Sequence, residues 1–164
     1  MEFKIKKSLG QNFLTDKNII KSIVDIGFIT DNDVILEVGP GTGNLTEFIF
    51  EKNPKQIYAI EKDYNLVNFL NKKFEGKVKI INEDILNFKI NNISNEKFVI
   101  YGNLPYNIST QILTQWIVDQ QQFVSIKKLI LMFQKEVANR IIAKINSKNY
   151  GRLSIISNWK LNIK

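Results

Sequence analysis

The chain has no cysteine and no histidine among its 164 residues, and only three prolines. Without cysteine there is no disulfide, no thiolate nucleophile and no Cys-ligated zinc. Without histidine the usual general base, the commonest metal ligand and every Ser-His or Cys-His system are excluded. Any chemistry falls to carboxylates, amides, hydroxyls, lysines or a cofactor, and no metal site is expected. No apolar run approaches the roughly 18 residues of a membrane span. The opening segment is basic but has neither an apolar stretch nor a small-residue cleavage site, so it does not read as a secretory signal. A cytoplasmic protein without membrane association is expected.

Apolar residues make up 44% and charged residues 24%, the composition of a globular domain rather than a disordered chain. The length fits one domain. The formal charge is +7, with 21 lysines but only two arginines, beside 27 isoleucines and 20 asparagines. Lys, Ile and Asn have A/T-rich codons, so the total is weaker evidence than its distribution. Residues 22–119 are net acidic, with nine basic against thirteen acidic side chains. Residues 120–164 carry nine basic side chains against Glu136 alone. Basic flanks around a neutral-to-acidic centre point to a nucleic-acid partner.

Short β-rich runs alternate with longer helical ones. Thr15 or Asp16 can cap a helix with an Ile19, Ile20, Ile23, Val24 and Ile26 face, which Gly27 can end in the left-handed conformation. Val34–Val38, Ile57–Ile60, Val78–Ile81, Phe98–Tyr101 and Leu129–Phe133 read as strands. Helices are expected after the first strand, with Leu45, Phe48 and Ile49, after the second, with Leu66, Val67, Leu70 and Phe74, from about Ser109, along Val137, Ile141, Ile142 and Ile145, and over Leu153–Ser157. Trp159–Ile163 could begin a sixth strand. Repeated strand–helix–strand units predict an α/β fold, a mainly parallel sheet with helices on both faces. In such sheets ligands sit beyond the carboxyl ends of the strands.

The informative residues fall there. Glu37-Val38-Gly39-Pro40-Gly41-Thr42-Gly43 follows the first strand. Glycines at alternate positions, Gly39 and Gly41 among them, let a ligand approach the backbone. The turn is neither the dinucleotide fingerprint nor a phosphate loop with Lys-Ser/Thr. Glu61 ends the second strand, 18 residues beyond Gly43, where an acidic side chain can bind a ribose diol. Asp84, near the end of the third strand, could accept from an adenine amino group. An adenosine ligand without a pyrophosphate fits, and S-adenosylmethionine is one.

Asn103-Leu104-Pro105-Tyr106 follows the fourth strand. An exocyclic amine on an aromatic base is a poor nucleophile because its lone pair is delocalised into the ring. Two acceptors on its N–H groups, the Asn103 side-chain oxygen and the Leu104 carbonyl, can hold the nitrogen pyramidal and aim the lone pair at a methyl donor. Pro105 stiffens the turn. Tyr106 can stack on the base, worth about 1–3 kcal/mol. Attack on a sulfonium methyl needs proximity and orientation more than a base, so the missing histidines are no obstacle.

Ser8–Leu14, Glu37–Gly43, Asn103–Thr110, Met132–Arg140 and Tyr150–Ser154 together resemble the ribosomal RNA adenine dimethyltransferases of the KsgA type. The resemblance runs from about Lys7 to Ser154. It implies a Rossmann-like, class I S-adenosylmethionine-dependent methyltransferase fold. It also implies transfer of two methyl groups to N6 of each of two adjacent adenosines in small-subunit ribosomal RNA, with the immature small subunit as partner and a monomeric enzyme. By position, Asn12 and Leu14 would contact the cofactor from an N-terminal segment, residues 1–30, folded over it. Gly39 would lie along the methionine part, Glu61 would bind the ribose and Asp84 the adenine. Asn103 would touch cofactor and target amine, and Tyr106 would stack on a flipped adenine. Lys127, Lys128, Lys135, Arg140, Lys144, Lys148 and Arg152 would face the RNA backbone.

Family members continue past this point through a Pro-rich loop with a second stacking aromatic, a last sheet strand and a small helical domain. No proline follows Pro105. The chain is therefore read as a single catalytic domain over residues 1–164, truncated, with its last strand or strands and the helical domain missing. Three other readings stand beside this one. The first is an Erm-type enzyme acting on large-subunit RNA and conferring macrolide resistance. The second is a non-catalytic RNA-binding or ribosome-assembly factor. The third is a DNA adenine methyltransferase.

Overall fold

The computed structural model describes residues 14–164. Five parallel strands carry the fold: β1 (Val34–Val38), β2 (Gln56–Glu61), β3 (Lys79–Asn82), β4 (Phe98–Asn103) and β5 (Ile126–Met132). They lie in the order β3-β2-β1-β4-β5. The order reverses between β1 and β4, which places a topological switch point, and so a crevice, at their carboxyl ends. Among the described residues seven α-helices accompany them: α1 (Lys17–Ile26), α2 (Asn44–Phe50), α3 (Tyr64–Phe74), α4 (Ser109–Val118), α5 (Gln120–Val124), α6 (Lys135–Ile141) and α7 (Arg152–Lys160).

The strands alternate between two cores, as a two-residue side-chain period requires. Ile35, Val99 and Tyr101 join Ile20 and Val24 of α1, Leu45 and Ile49 of α2, and Leu70 and Phe74 of α3. Val34, Leu36, Val38, Phe98 and Ile100 join Ile112 and Trp116 of α4 on the opposite face. All five residues of β1 are buried, which makes it the central strand. A third cluster, with Leu113, Ile117, Ile141 and Leu153, seats α6 and α7 beside α4.

Local chemistry sets the element ends. Asp16 caps α1, its carboxylate accepting from Asn18 N at 2.9 Å and Ile19 N at 3.2 Å. Gly27 is not left-handed: its φ is −71°, and Phe28 carries the positive φ of 50°. Space, not conformation, demands glycine at 27, because an added Cβ would fall 1.6 Å from the Tyr101 hydroxyl oxygen.

The structure corrects three further expectations. α6 stops at Ile141, leaving Ile142 and Ile145 exposed rather than striping the helix. Side chains of α7 take the carbonyls that would have continued it: Ser154 Oγ donates to Arg140 O at 2.5 Å and Asn158 Nδ2 to Ile141 O at 3.4 Å. Trp159–Ile163 does not begin a strand, because α7 runs on to Lys160. The Lys160 ammonium anchors that end, donating to Ile117 O and Gln120 Oε1, each at 2.9 Å, above the Phe123 and Trp159 rings. The run around Gln120–Gln122 is helical as α5, capped by Asp119, and β5 starts at Ile126 instead of Leu129.

Candidate functional site

The carboxyl ends of the strands enclose a cleft of about 130 Å³. Val38 and Gly39 line it from β1, Ile60, Glu61 and Lys62 from β2, Asp84 to Leu86 from beyond β3, and Pro105, Asn107 and Ile108 from beyond β4. Gly39, Glu61, Asp84 and Pro105, separated in sequence, thus meet in one place.

The glycine turn forms one wall. Gly39, Gly41 and Gly43 all have positive φ, at 68°, 58° and 79°. Gly39 N donates to Ile60 O at 2.9 Å, so the ladder between β1 and β2 reaches the start of the turn. A Cβ at Gly39 would meet no atom within 4 Å, so a strip of backbone there borders open space. At Gly43 a Cβ would press on Leu70 and Phe74, each at 2.9 Å, because α3 packs hard against the start of α2. Lys73 of α3 braces the turn, donating to Thr42 O at 2.7 Å and pairing with Glu47 at 3.0 Å.

Glu61 closes the turn from β2. It is buried, and its carboxylate accepts from Asp63 N at 2.8 Å and Gly41 N at 3.3 Å. Burial raises its pKa, and the Asp63 and Gly41 N–H groups offset only part of that rise. Asp84 lies two residues past β3, and Lys62 holds its carboxyl below the usual range through a 2.7 Å ion pair. Its other oxygen accepts from Leu86 N at 3.0 Å. Both carboxylates are aimed by the backbone, as groups that must orient a ligand should be.

Beyond β4, Asn103 is half-buried at the strand end and Tyr106 is 45% exposed. Leu104 is buried, its side chain folded back over Gly102, where an added Cβ would lie 2.8 Å from Leu104 Cδ2. The Pro105 carbonyl accepts from Ile108 N at 3.1 Å and Ser109 N at 3.0 Å, which fastens the turn to the start of α4. Leu14 is half-buried, and its carbonyl accepts from Asn44 Nδ2 at 2.8 Å, close to the glycine turn. Asn12 lies outside the described residues.

The basic set divides. Lys135 and Arg140 stand on α6, Lys144 and Lys148 on the α6–α7 connection and Arg152 at the head of α7, all exposed. No ion pair holds any of them among the described residues. Lys127 and Lys128 stand apart, at the amino end of β5 and therefore at the opposite edge of the sheet from the cleft. Lys127 pairs with buried Asp33 at 2.6 Å, and Lys128 donates to Gly27 O at 2.8 Å. These two are partnered within the fold and not grouped with the other five.

One buried charge beside the glycine turn, outside the lining of the cleft, was given no role from the sequence. Glu37 is 1% exposed, on the α1–α2 side of β1. Among the described residues its Oε2 has no well-formed hydrogen bond, and the Thr46 hydroxyl that faces it from α2 lowers its pKa only in part. Burial lifts its pKa to about 7, the Glu61 charge pushing the same way and Lys73 opposing. The signal was legible: Glu37 is the one charged residue in the wholly buried strand Val34–Val38.

A parallel sheet reversing at β1/β4, with a glycine turn and strand-end carboxylates at its carboxyl edge, defines a class I methyltransferase fold. The model for the family described as ribosomal RNA adenine dimethylase matches residues 2–164, and the chain belongs to that family. It is 54% identical over 164 residues to the ribosomal RNA small subunit methyltransferase A of Pelagibacter ubique, covering all of this chain and 62% of that one. With the protein of the same name from Francisella tularensis subsp. novicida it shares 44% over 158 residues, 93% of this chain and 59% of that one. The chain thus spans about three-fifths of the length of these curated relatives. Among solved structures, the 23S rRNA methyltransferase ErmE superposes with a TM-score of 0.71 at 27% identity, covering 89% of this chain and 55% of that one. A dimethyladenosine transferase from Plasmodium falciparum gives 0.71 at 29%, covering 88% and 51%. Among the described residues no helix is long and apolar enough to cross a membrane, and no cluster of potential metal ligands occurs.

Proposed function

We propose that the chain binds S-adenosylmethionine in the carboxyl-edge cleft. We propose further that it transfers methyl groups to N6 of two adjacent adenosines in small-subunit ribosomal RNA, as a cytoplasmic catalytic domain acting on the immature subunit. The observation that carries this reading is the meeting of Gly39, Glu61 and Asp84 with the turn that follows Asn103 in a single cleft at the switch point. The donor set fits the cofactor: a bare glycine backbone for the methionine part, a backbone-aimed carboxylate for the ribose and a second for the adenine amino group.

When bound, the cofactor supplies an electrophilic methyl on a positively charged sulfur. Glu61 orients the ribose through its hydroxyls. The Asn103 side-chain oxygen and the Leu104 carbonyl accept from the two target N–H groups and turn the nitrogen lone pair out of the ring. Tyr106, half in solvent, offers its face to an unstacked adenine. So held, the target nitrogen would present its lone pair in line with the methyl that the cofactor would supply, and the amine proton would pass to water, with no side chain of the cleft needed to remove it first. Alignment supplies the rate, which suits a chain without imidazole. Lys135, Arg140, Lys144, Lys148 and Arg152 take the RNA phosphates.

Methyl-labelled S-adenosylmethionine should be offered with under-methylated small subunits, large subunits and DNA, and the products digested to nucleosides. The expected result is N6,N6-dimethyladenosine from small subunits. Label confined to large subunits would favour the Erm-type reading, and binding of RNA without label the assembly-factor reading.

A further inference from the structure

Two buried carboxylates flank the glycine turn, and only one is satisfied. Glu61 accepts two backbone N–H groups. Glu37 has an enclosed oxygen with no well-formed hydrogen bond among the described residues, and the Thr46 hydroxyl facing it is the one weak donor. Among the described residues its surroundings offer no uncommitted cation. From α3, the Lys73 ammonium is committed to Thr42 O and Glu47. From β4, Tyr101, its register partner, gives its hydroxyl proton to Val24 O at 2.9 Å. From β2, the register partner Ala59 is apolar, and Glu61 adds a like charge. α1 contributes Ile20 and Val24 to this side. A bare carboxylate so placed is costly, and two side by side more so.

We propose that Glu37 matches its charge to that of the ligand: it holds a proton behind the glycine turn while the cleft is without cofactor, and releases that proton to solvent when a sulfonium-bearing ligand enters. This rests on the cofactor reading above. The ligand carries a sulfonium, an ammonium and a carboxylate, for a net charge of one plus. Its demethylated product has a neutral thioether and no net charge. Only the former has a net positive charge to offset that of an ionised Glu37. Cofactor and product would then be distinguished by charge, and the distinction would sharpen with pH. The elevated Glu37 pKa near 7 puts this exchange in the physiological range.

The test is calorimetric titration with S-adenosylmethionine and S-adenosylhomocysteine, in pairs of buffers differing in ionisation enthalpy, from pH 6 to 8. The homocysteine compound carries the same ammonium and carboxylate, so it subtracts their titration. Excess proton release by the sulfonium ligand should approach about one per site near pH 6 and fade above pH 8. Its affinity relative to the product should rise up to about tenfold per pH unit below the Glu37 pKa. Glu37→Gln should bind with no excess release and a flat affinity ratio. Equal release by both ligands in the native chain, or release undiminished in Glu37→Gln, would overturn the proposal while leaving the cofactor reading intact. If Glu37→Gln does not fold, the native comparison decides alone. No binding of S-adenosylmethionine at all would overturn both.

Discussion

The Tyr101 hydroxyl stands where a side chain on residue 27 would begin: a Cβ there would lie 1.6 Å from its oxygen, which donates to Val24 O at 2.9 Å. This contact docks the end of α1 on the sheet next to Glu37, so its integrity bears on the floor of the site. Gly27→Ala must displace a fully buried ring and is expected to destabilise by about 1–3 kcal/mol. Tyr101→Phe should cost about 1 kcal/mol through the lost hydrogen bond. Together they should cost less than their sum, because removing the hydroxyl relieves the worst overlap. Urea unfolding of the four proteins measures this. Strict additivity would mean that the overlap is relieved elsewhere.

Gly102 and Leu104 share a comparable relationship at the chemical end. A methyl at 102 would press on Leu104 Cδ2 at 2.8 Å and Leu131 at 3.4 Å, and Leu104 has no solvent into which to retreat. Gly102→Ala should therefore move the Leu104 carbonyl and slow methyl transfer by about 100-fold, since misplacement of this order is enough. Cofactor affinity should stay within about twofold, because the Glu61 and Asp84 side of the cleft is untouched. Single-turnover rates and cofactor titration separate the two effects, and a loss of affinity without loss of rate would contradict the assignment.

The division of the basic residues gives a third expectation. Removing Lys144, Lys148 or Arg152 should weaken RNA binding and lower the slope of log affinity against log salt by about 0.7–0.9 each. Lys127→Gln should leave that slope unchanged. It should instead lower stability, because Asp33 is buried and loses its ion pair. Burial pushes the Asp33 carboxyl up, but the bonds from Lys127 and Thr30 outweigh it and hold it below the usual range. That stabilisation is present above the ordinary carboxylate pKa and fades as pH falls through the lowered one. Salt-dependent binding curves and acid unfolding check the two halves.

The positions of the strands along the chain were readable because four of them are short apolar runs followed by turn or capping residues. β5 was misread at its start because Lys127 and Lys128 look like loop until their partners are known. Those partners, Asp33 and the Gly27 carbonyl, lie 94 and 101 residues away in sequence. Helix ends set by other helices were equally hidden: nothing near Ile141 in sequence reveals that Ser154 and Asn158 take the carbonyls at the end of α6. Gly27 read as a left-handed helix end, whereas it is space beside Tyr101 that requires glycine there. Strand-end carboxylates were legible because the topology of a parallel sheet fixes where they point. Glu37 opened the glycine motif but was given no role in it, although its charge amid apolar neighbours was in plain view.

The location of the cofactor can be read directly by following the backbone amides of uniformly nitrogen-labelled protein during titration with S-adenosylmethionine. The amides of Gly39, Gly41, Asp63 and Leu86 border the cleft or bond to its two carboxylates. They should shift together along one saturating curve. Those of Thr30, Asp33 and Lys127, at the opposite edge of the sheet, should stay in place. Saturable shifts at the amino edge with the four cleft amides unmoved would contradict the cofactor site described above.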